Sequence, residues 1–289
     1  MKEILITGCS TGFGYDSSKY LAEKGHHVYA SMRNTNGKNA KAASELTEFA
    51  SANNLKIEVI EMDVTSDESV SAAVSRVPAI DVLINNAGFG YAGPIEAFSS
   101  DEIMAQLDLN IVGTLRAAKA VLPGMRAQES GLIIQVSSGA GRSAFPGFGI
   151  YHASKWGLEG VSEALRYELA AFGIDVVIVE PGPFSTNFMG NIVLPKNEEI
   201  ASAYKHVMEF NNGLVKQFLG AYEDENAPTD PKIVVEIFEK LINTPAGSRP
   251  IRTMAGLDLG FQAFNDVTEP IRTGALESLG IADWDGPRA

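Results

Sequence analysis

Tyr151 and Lys155 stand four residues apart. On a helix, positions i and i+4 share a face. A free tyrosine has a pKa of about 10. An ammonium beside it favours the phenolate and lowers that value. A drop of about 3 units corresponds to roughly 4 kcal/mol of differential stabilisation. A phenol tuned in this way can donate and accept a proton near neutral pH, as general acid–base chemistry requires. Taken alone, the pair also fits two ordinary neighbours on a helix surface. A second stretch, Thr7-Gly8-Cys9-Ser10-Thr11-Gly12-Phe13-Gly14, joins a short β-branched run to a helical one. Glycines there permit a tight turn and close backbone approach to a pyrophosphate. The next helix would present free N–H groups and its positive dipole end to the anion. The spacing is G-x-x-x-G-x-G, which a purely structural turn could share. Its position between first strand and first helix is where a dinucleotide fingerprint lies.

The elements that must position these residues follow from hydrophobic rhythm. Glu3–Thr7, His27–Met32, Lys56–Ile60, Ile80–Ile84, Leu132–Ser137 and Ile174–Val179 read as strands. Between them Phe13–Gly25, Asn39–Asn53, Asp67–Arg76, Asp101–Leu122 and about 149–172 read as helices, with Ser66 or Asp67 as a cap. The strands are nearly continuous in apolar residues, as expected where both sheet faces are covered. The alternation predicts an α/β, doubly wound Rossmann-type parallel sheet with right-handed crossovers. After Gly190 the rhythm turns helical through Leu219, and Tyr222–Asp230 reads as an acidic loop. Pro231–Ile242 is a helix, Pro250–Met254 a last strand, and the remainder short helices and tail. The expectation is one domain: a core over 1–185, a helical substrate-covering segment over 186–230, and C-terminal helices with the last strand over 231–289.

Composition narrows the classes. The 289 residues carry Lys+Arg 23 against Asp+Glu 36, a net charge of −13. So acidic a chain is poorly suited to nucleic acid or an anionic membrane surface, both of which need clustered cations. One cysteine, Cys9, cannot form an internal disulfide or a multi-cysteine metal site. It sits in the glycine loop, where a small residue suffices, and no redox role is assigned. The N-terminus shows no secretory pattern and no apolar run approaches membrane-spanning length. The expected location is cytoplasmic. His26, His27, His152 and His206 are scattered without metal spacing, and His152 is expected to project to another helix face than Tyr151.

Together, TGxxxGxG at Thr7–Gly14, Asn85-Asn86-Ala87-Gly88 and Tyr151-His152-Ala153-Ser154-Lys155 resemble the short-chain dehydrogenase/reductase family, classical type. The resemblance runs from Met1 to about Gly190. It implies a catalytic serine at Ser138, thirteen positions before Tyr151, and a helix asparagine at Asn110. It implies that Asn110 shapes a water-borne proton relay to Lys155, and that Lys155 also bonds the nicotinamide ribose. Pro181-Gly182, with Thr186, matches the family's PGxxxT. Each fragment has a bland reading as a turn or helix-interface residue; the ordered set does not. In a carbonyl–alcohol interconversion, Ser138 can hydrogen-bond the substrate oxygen and steady its developing charge. Positively charged oxidised nicotinamide nearby would further favour the Tyr151 phenolate. The expected cofactor contacts are Gly8, Ser10, Thr11, Gly12, Phe13, Gly14, Arg33, Asp63, Val64, Asn86, Ala87, Gly88, Tyr151, Lys155, Pro181, Gly182 and Thr186.

The second strand ends Ser31-Met32-Arg33-Asn34. Met32 stands where an acid would repel a 2′-phosphate, and Arg33 offers a planar, fixed-charge fork. NADP(H) is therefore favoured, with NAD(H) an alternative if Arg33 is only a surface arginine. Within the family the motifs are most similar to the steroid- and retinol-dehydrogenase branch and its bacterial relatives. That implies a bulky or apolar alcohol or carbonyl substrate. Phe145, Phe148, Phe184 and Phe188, with Ser138, are the expected lining; core packing explains the aromatics equally well. Asp101–Leu122 is apolar around much of its circumference, which predicts a homodimer or homotetramer. The competing reading is a non-catalytic dinucleotide-binding sensor or interaction protein of the same fold. Ser138, Tyr151 and Lys155 are all present, which favours the enzyme.

Overall fold

The computed structural model describes residues 1–288. Seven strands form one parallel sheet: β1 (Glu3–Ile6), β2 (His27–Met32), β3 (Ile57–Glu61), β4 (Val82–Asn85), β5 (Gly131–Val136), β6 (Ile174–Pro181) and β7 (Arg252–Ala255). Their order across the sheet is β3-β2-β1-β4-β5-β6-β7. The order reverses between β1 and β4, which pair directly through Ile4↔Val82 and Ile6↔Ile84. At such a reversal the connections leave to opposite faces and open a crevice at the strands' carboxyl ends. Every residue of β6 is buried, so the near-continuous apolar runs do reflect a sheet covered on both sides.

One face is covered by α1 (Gly12–Glu23), α2 (Ala40–Asn53) and α9 (Lys232–Asn243), whose Leu21, Leu46 and Phe238 join Ile4, Val28 and Val179 in one core. The other carries α3 (Asp67–Val74), α4 (Ser100–Leu107), α5 (Gly113–Ala127) and α6 (Gly149–Leu169). There Val70, Ala117, Met125 and Leu169 pack on Leu5, Leu83 and Ile133. Ser66 is the cap of α3, accepting from the Ser69 amide at 3.2 Å. Ser99 and Glu102 form a capping box on α4. Beyond β6 come α7 (Glu198–Ala203), α8 (Lys205–Tyr222) and α10 (Phe261–Ser278). No helix among the described residues is long and apolar enough to cross a membrane.

Three expectations need correction. The long helix over Asp101–Leu122 is interrupted by a π-turn at Asp108–Val112, centred on buried Asn110. Its side chain is bonded inward, and such turns accommodate an extra residue to aim a side chain. The helical stretch after Gly190 breaks at Tyr204, between α7 and α8. The C-terminal region holds an 18-residue helix, α10, with Pro270 inside it. Proline and a weak apolar stripe hid it: only Phe261, Asn265 and Leu276 are buried there.

Behind α6 lies an ionic cluster that no local pattern announces. Arg252 of β7 meets Glu159 at 2.9 Å and Glu180 at 3.5 Å, and also pairs with Glu163. Arg142 lies 3.6 Å from Glu180, and the Asn265 amide donates to the same carboxylate. Burial, then the neighbouring Glu159, pushes the Glu180 carboxyl well above the ordinary range. Unfolded, that carboxyl ionises near pH 4. A carboxyl raised in this way contributes stability that is full at acid pH and lost as pH rises toward the folded value. Glu180→Gln mimics the protonated group. Relative to wild type its melting temperature should rise between pH 5 and pH 8.5 by roughly 2–4 °C, the shift expected from about 1 kcal/mol. Thermal melts across that range check this; a constant or falling difference contradicts it.

Candidate active site

The loop after β1 is shaped by contacts a side chain would destroy. Gly8 has φ +74°, and a Cβ there would lie 2.8 Å from the Ala87 Cα. Gly14 is pressed on the Gly8 carbonyl, where a Cβ would come within 2.6 Å. This interlocks the β1 loop with the β4 loop at the switch point. The Thr7 hydroxyl accepts from the Asn86 and Ala87 amides at 3.0 and 2.9 Å. The Asn86 side-chain amide returns to the Thr7 and Gly8 carbonyls at 2.9 and 3.1 Å. Thr11 begins α1 without a side-chain cap, and the first turn holds no acid. Its amides thus face the crevice without a competing carboxylate, in a cradle of glycines. These features fit the pyrophosphate of a dinucleotide.

Other expected cofactor residues lie around the same edge. Ser10 and Thr11 are in the turn itself. Phe13 stacks edge-on with Phe184 at 5.4 Å. Thr186 reaches back over Gly12, 3.6 Å from where a Cβ would stand. Gly182 sits under the Leu257 carbonyl, and the Pro181 carbonyl accepts from the Ser138 hydroxyl at 3.4 Å. Gly88 faces Asn110. Val64 packs over Gly113. Arg33 extends from the end of β2 with its side chain 56% exposed and one guanidinium nitrogen 3.8 Å from Asp63. Asp63 also accepts from the Thr65 amide and hydroxyl. Glu61, unmarked by the sequence reading, holds the Arg33 loop by accepting the Asn34 and Thr35 amides at 2.7 and 2.8 Å. Asn34 is left-handed at φ +53°, a conformation asparagine tolerates better than most residues.

Ser138, Tyr151 and Lys155 converge beside this crevice. Ser138 follows β5, and its hydroxyl accepts from the Ala140 amide at 3.1 Å. Tyr151 and Lys155 lie on the first two turns of α6, both buried. The Lys155 ammonium donates to the Val136 carbonyl at 2.8 Å and lies 5.8 Å from the centre of the Tyr151 ring. Burial pulls Lys155 down to about 8, opposed by the Glu159 charge. Burial pushes the Tyr151 phenol up to about 12, partly offset by Ser138. The expected lowering of the phenol by Lys155 is therefore absent among the protein's own groups. Burial penalises the phenolate, and the ammonium is engaged by a backbone carbonyl. Asn110 reaches the residue before Lys155: its amide donates to the Phe89 carbonyl at 3.1 Å and to Ser154 Oγ at 2.9 Å.

The aromatic residues divide. Phe145, Phe148 and Phe188 join Tyr151 in one apolar cluster with Ala92, Ala140, Ile192 and Leu214. The Phe188 ring is 5.5 Å from that of Tyr151. Phe184 is elsewhere, in the core under α1 and α9. Its ring packs on Phe13 and over Gly256 instead of Tyr151. Ala92 and Leu214 come from segments with no motif, so only the fold brings them in. The covering segment is latched: the Val193 amide donates to the Gly90 carbonyl at 3.0 Å, and the Lys196 amide donates to Glu102, the α4 capping residue, at 3.2 Å.

The chain is similar to several known proteins. A 3-ketodihydrosphingosine reductase of Bacteroides thetaiotaomicron is 37% identical over 231 residues, covering 75% of this chain and 80% of that protein. Human 17-beta-hydroxysteroid dehydrogenase type 1 is 34% identical over 251 residues, covering 84% and 74%. A gluconate 5-dehydrogenase from Burkholderia cenocepacia, solved in complex with NADP and tartrate, superposes with a TM-score of 0.60 at 31% identity, covering 65% of this chain and 73% of that one. Residues 2–197 match the short chain dehydrogenase family. With its glycine cradle at the strand reversal and a Ser138–Tyr151–Lys155 cluster beside it, this chain belongs to the short-chain dehydrogenase/reductase family and is an oxidoreductase of that family.

Proposed function

We propose that this chain is an NADP(H)-dependent oxidoreductase acting on a bulky, apolar carbonyl or alcohol, with Tyr151 as the proton-transferring residue. The observation that carries the reading is the convergence of Ser138, Tyr151 and Lys155 beneath an apolar cluster at the crevice mouth. The dinucleotide supplies or accepts the hydride. The protein's own residues handle the oxygen. Ser138 donates a hydrogen bond to the carbonyl oxygen and steadies charge as it grows. A phenol held up to about 12 is a proton donor at neutral pH. In reduction the carbonyl carbon gains the hydride and its oxygen takes the Tyr151 proton, leaving a phenolate beside Lys155. The Lys155 ammonium compensates that charge as it forms. Asn110 and Ser154 hold the start of α6 to the β4 loop, keeping the phenol in place.

The phosphate preference is supported by Arg33, exposed on a loop that Glu61 fixes, and by the NADP bound to the similar gluconate 5-dehydrogenase. The apolar substrate is supported by the lining aromatics and by the sphingoid and steroid substrates named for the relatives. We also propose a homo-oligomer. Trp156 on α6, Met104 on α4 and Val112 in the π-turn are 45%, 61% and 41% exposed, apolar surface suited to a second copy. Sedimentation at micromolar concentration should give a dimer or tetramer; a monomer opposes this.

Tyr151→Phe should lower turnover by about 10²–10⁴-fold, the usual yield of general acid–base catalysis, while NADPH binding stays unchanged. Steady-state kinetics across aldehydes, ketones, retinoids and steroids, with fluorescence titration of NADPH, measures both. Retained turnover removes the tyrosine from the mechanism; wild-type protein that binds NADPH but turns over none of these carbonyls leaves the sensor reading. Arg33→Ala should weaken NADPH binding about 10–100-fold, the loss of charge-assisted hydrogen bonds, with little effect on NADH. An equal effect on both cofactors contradicts a phosphate fork.

A further inference from the structure

His152 follows Tyr151 directly, yet its imidazole is buried, with 2% exposure. Its Nδ1 is 2.9 Å from the Ala140 carbonyl oxygen. Its Nε2 lies 3.2 Å from the Phe145 backbone nitrogen. A carbonyl only accepts and an amide only donates, so Nδ1 carries the hydrogen and Nε2 is bare. Both partners belong to the loop between the catalytic serine and α6. Ala140 is two residues past Ser138. Phe145 stands on the apolar wall, edge-on to the imidazole at 4.4 Å. From there its ring meets Phe148 at 5.8 Å and Phe210 of α8 at 6.3 Å. The same loop is gripped again at Gly147, whose φ of +81° lets Asn211 of α8 sit where a Cβ would be. His152 is thus the point where the catalytic helix, the serine loop and the covering helix meet.

We propose that His152 is a positioning residue that sets substrate specificity: its neutral, Nδ1-protonated ring pins the Ala140–Phe145 loop so that Phe145 and Phe148 form a fixed wall for a large apolar substrate. The inference deepens the proposed function and rests on it for the identity of the pocket. A ring used at both nitrogens has no capacity left for proton transfer, so its role is geometric. A small ketone, reaching only Ser138 and Tyr151, does not touch the wall. A large one must.

Two measurements test this, and neither needs turnover. In ¹⁵N-labelled protein, long-range ¹H–¹⁵N correlation should show His152 as the Nδ1–H tautomer, assigned by its loss in His152→Phe. The common Nε2–H tautomer, or a charged ring at neutral pH, overturns the proposal. His152→Phe keeps a buried ring but loses both hydrogen bonds; His152→Gln serves if that variant folds poorly. Binding of estrone and cyclohexanone to the NADPH-loaded protein is then titrated. Either variant should weaken estrone about tenfold while cyclohexanone and NADPH change by less than about twofold. Equal weakening of both ketones, or of neither, overturns the specificity role. Wild-type protein that binds estrone but reduces no carbonyl would sink the catalytic reading and leave this one standing. Wild-type protein that binds neither ketone would sink both.

Discussion

A Cβ on Gly8 would sit 2.8 Å from the Ala87 Cα. That approach, between the loops leaving β1 and β4, sets the geometry of the site. It fixes the crevice where the strand order reverses, and it turns the uncapped amides of α1 toward that crevice. Thr7 and Asn86 lock the two loops by reciprocal hydrogen bonds. A wider separation would leave the glycine cradle without a facing wall. Close packing at this point lets a parallel sheet hold a dinucleotide on one side and receive a substrate beside it.

The helix that carries Tyr151 and Lys155 is held from two directions. At its start, Asn110 in a π-turn bonds Ser154 and the β4 loop. Behind it, Glu159 is anchored by Arg252 from the last strand. Lys155 lies between, spending a hydrogen bond on the Val136 carbonyl. Burial disfavours charge at Tyr151 and Lys155 alike, pushing the phenol up and the ammonium down. In the proposed function the phenol is the proton donor and Lys155 the compensating cation.

The substrate side is built from pieces distant in sequence. The serine loop, the segment after β6 and α8 give three, two and one apolar residues around Tyr151. The covering segment closes through a backbone pairing with the β4 loop and through Glu102, which caps α4 with one oxygen and accepts the Lys196 amide with the other. One carboxylate therefore ties helix formation to closure over the site.

The strands, their burial on both faces and the glycine loop were legible in the sequence, because each is a local pattern: continuous β-branched runs, or glycines where backbones must touch. Ser138, Tyr151 and Lys155 were legible because helical spacing and a family motif fix them within one stretch of chain. The grouping of aromatics was not. Phe184 and Phe188 are four residues apart, yet one packs under α1 and the other over Tyr151. The protonation tendency of Tyr151 was not legible either, since spacing reports the neighbouring cation but not the desolvation that outweighs it. Nor was the role of His152, the helix through Pro270, or the Arg252–Glu159–Glu180 cluster. Each depends on partners far along the chain, and distance in sequence carries no sign of which polar atoms burial will force together.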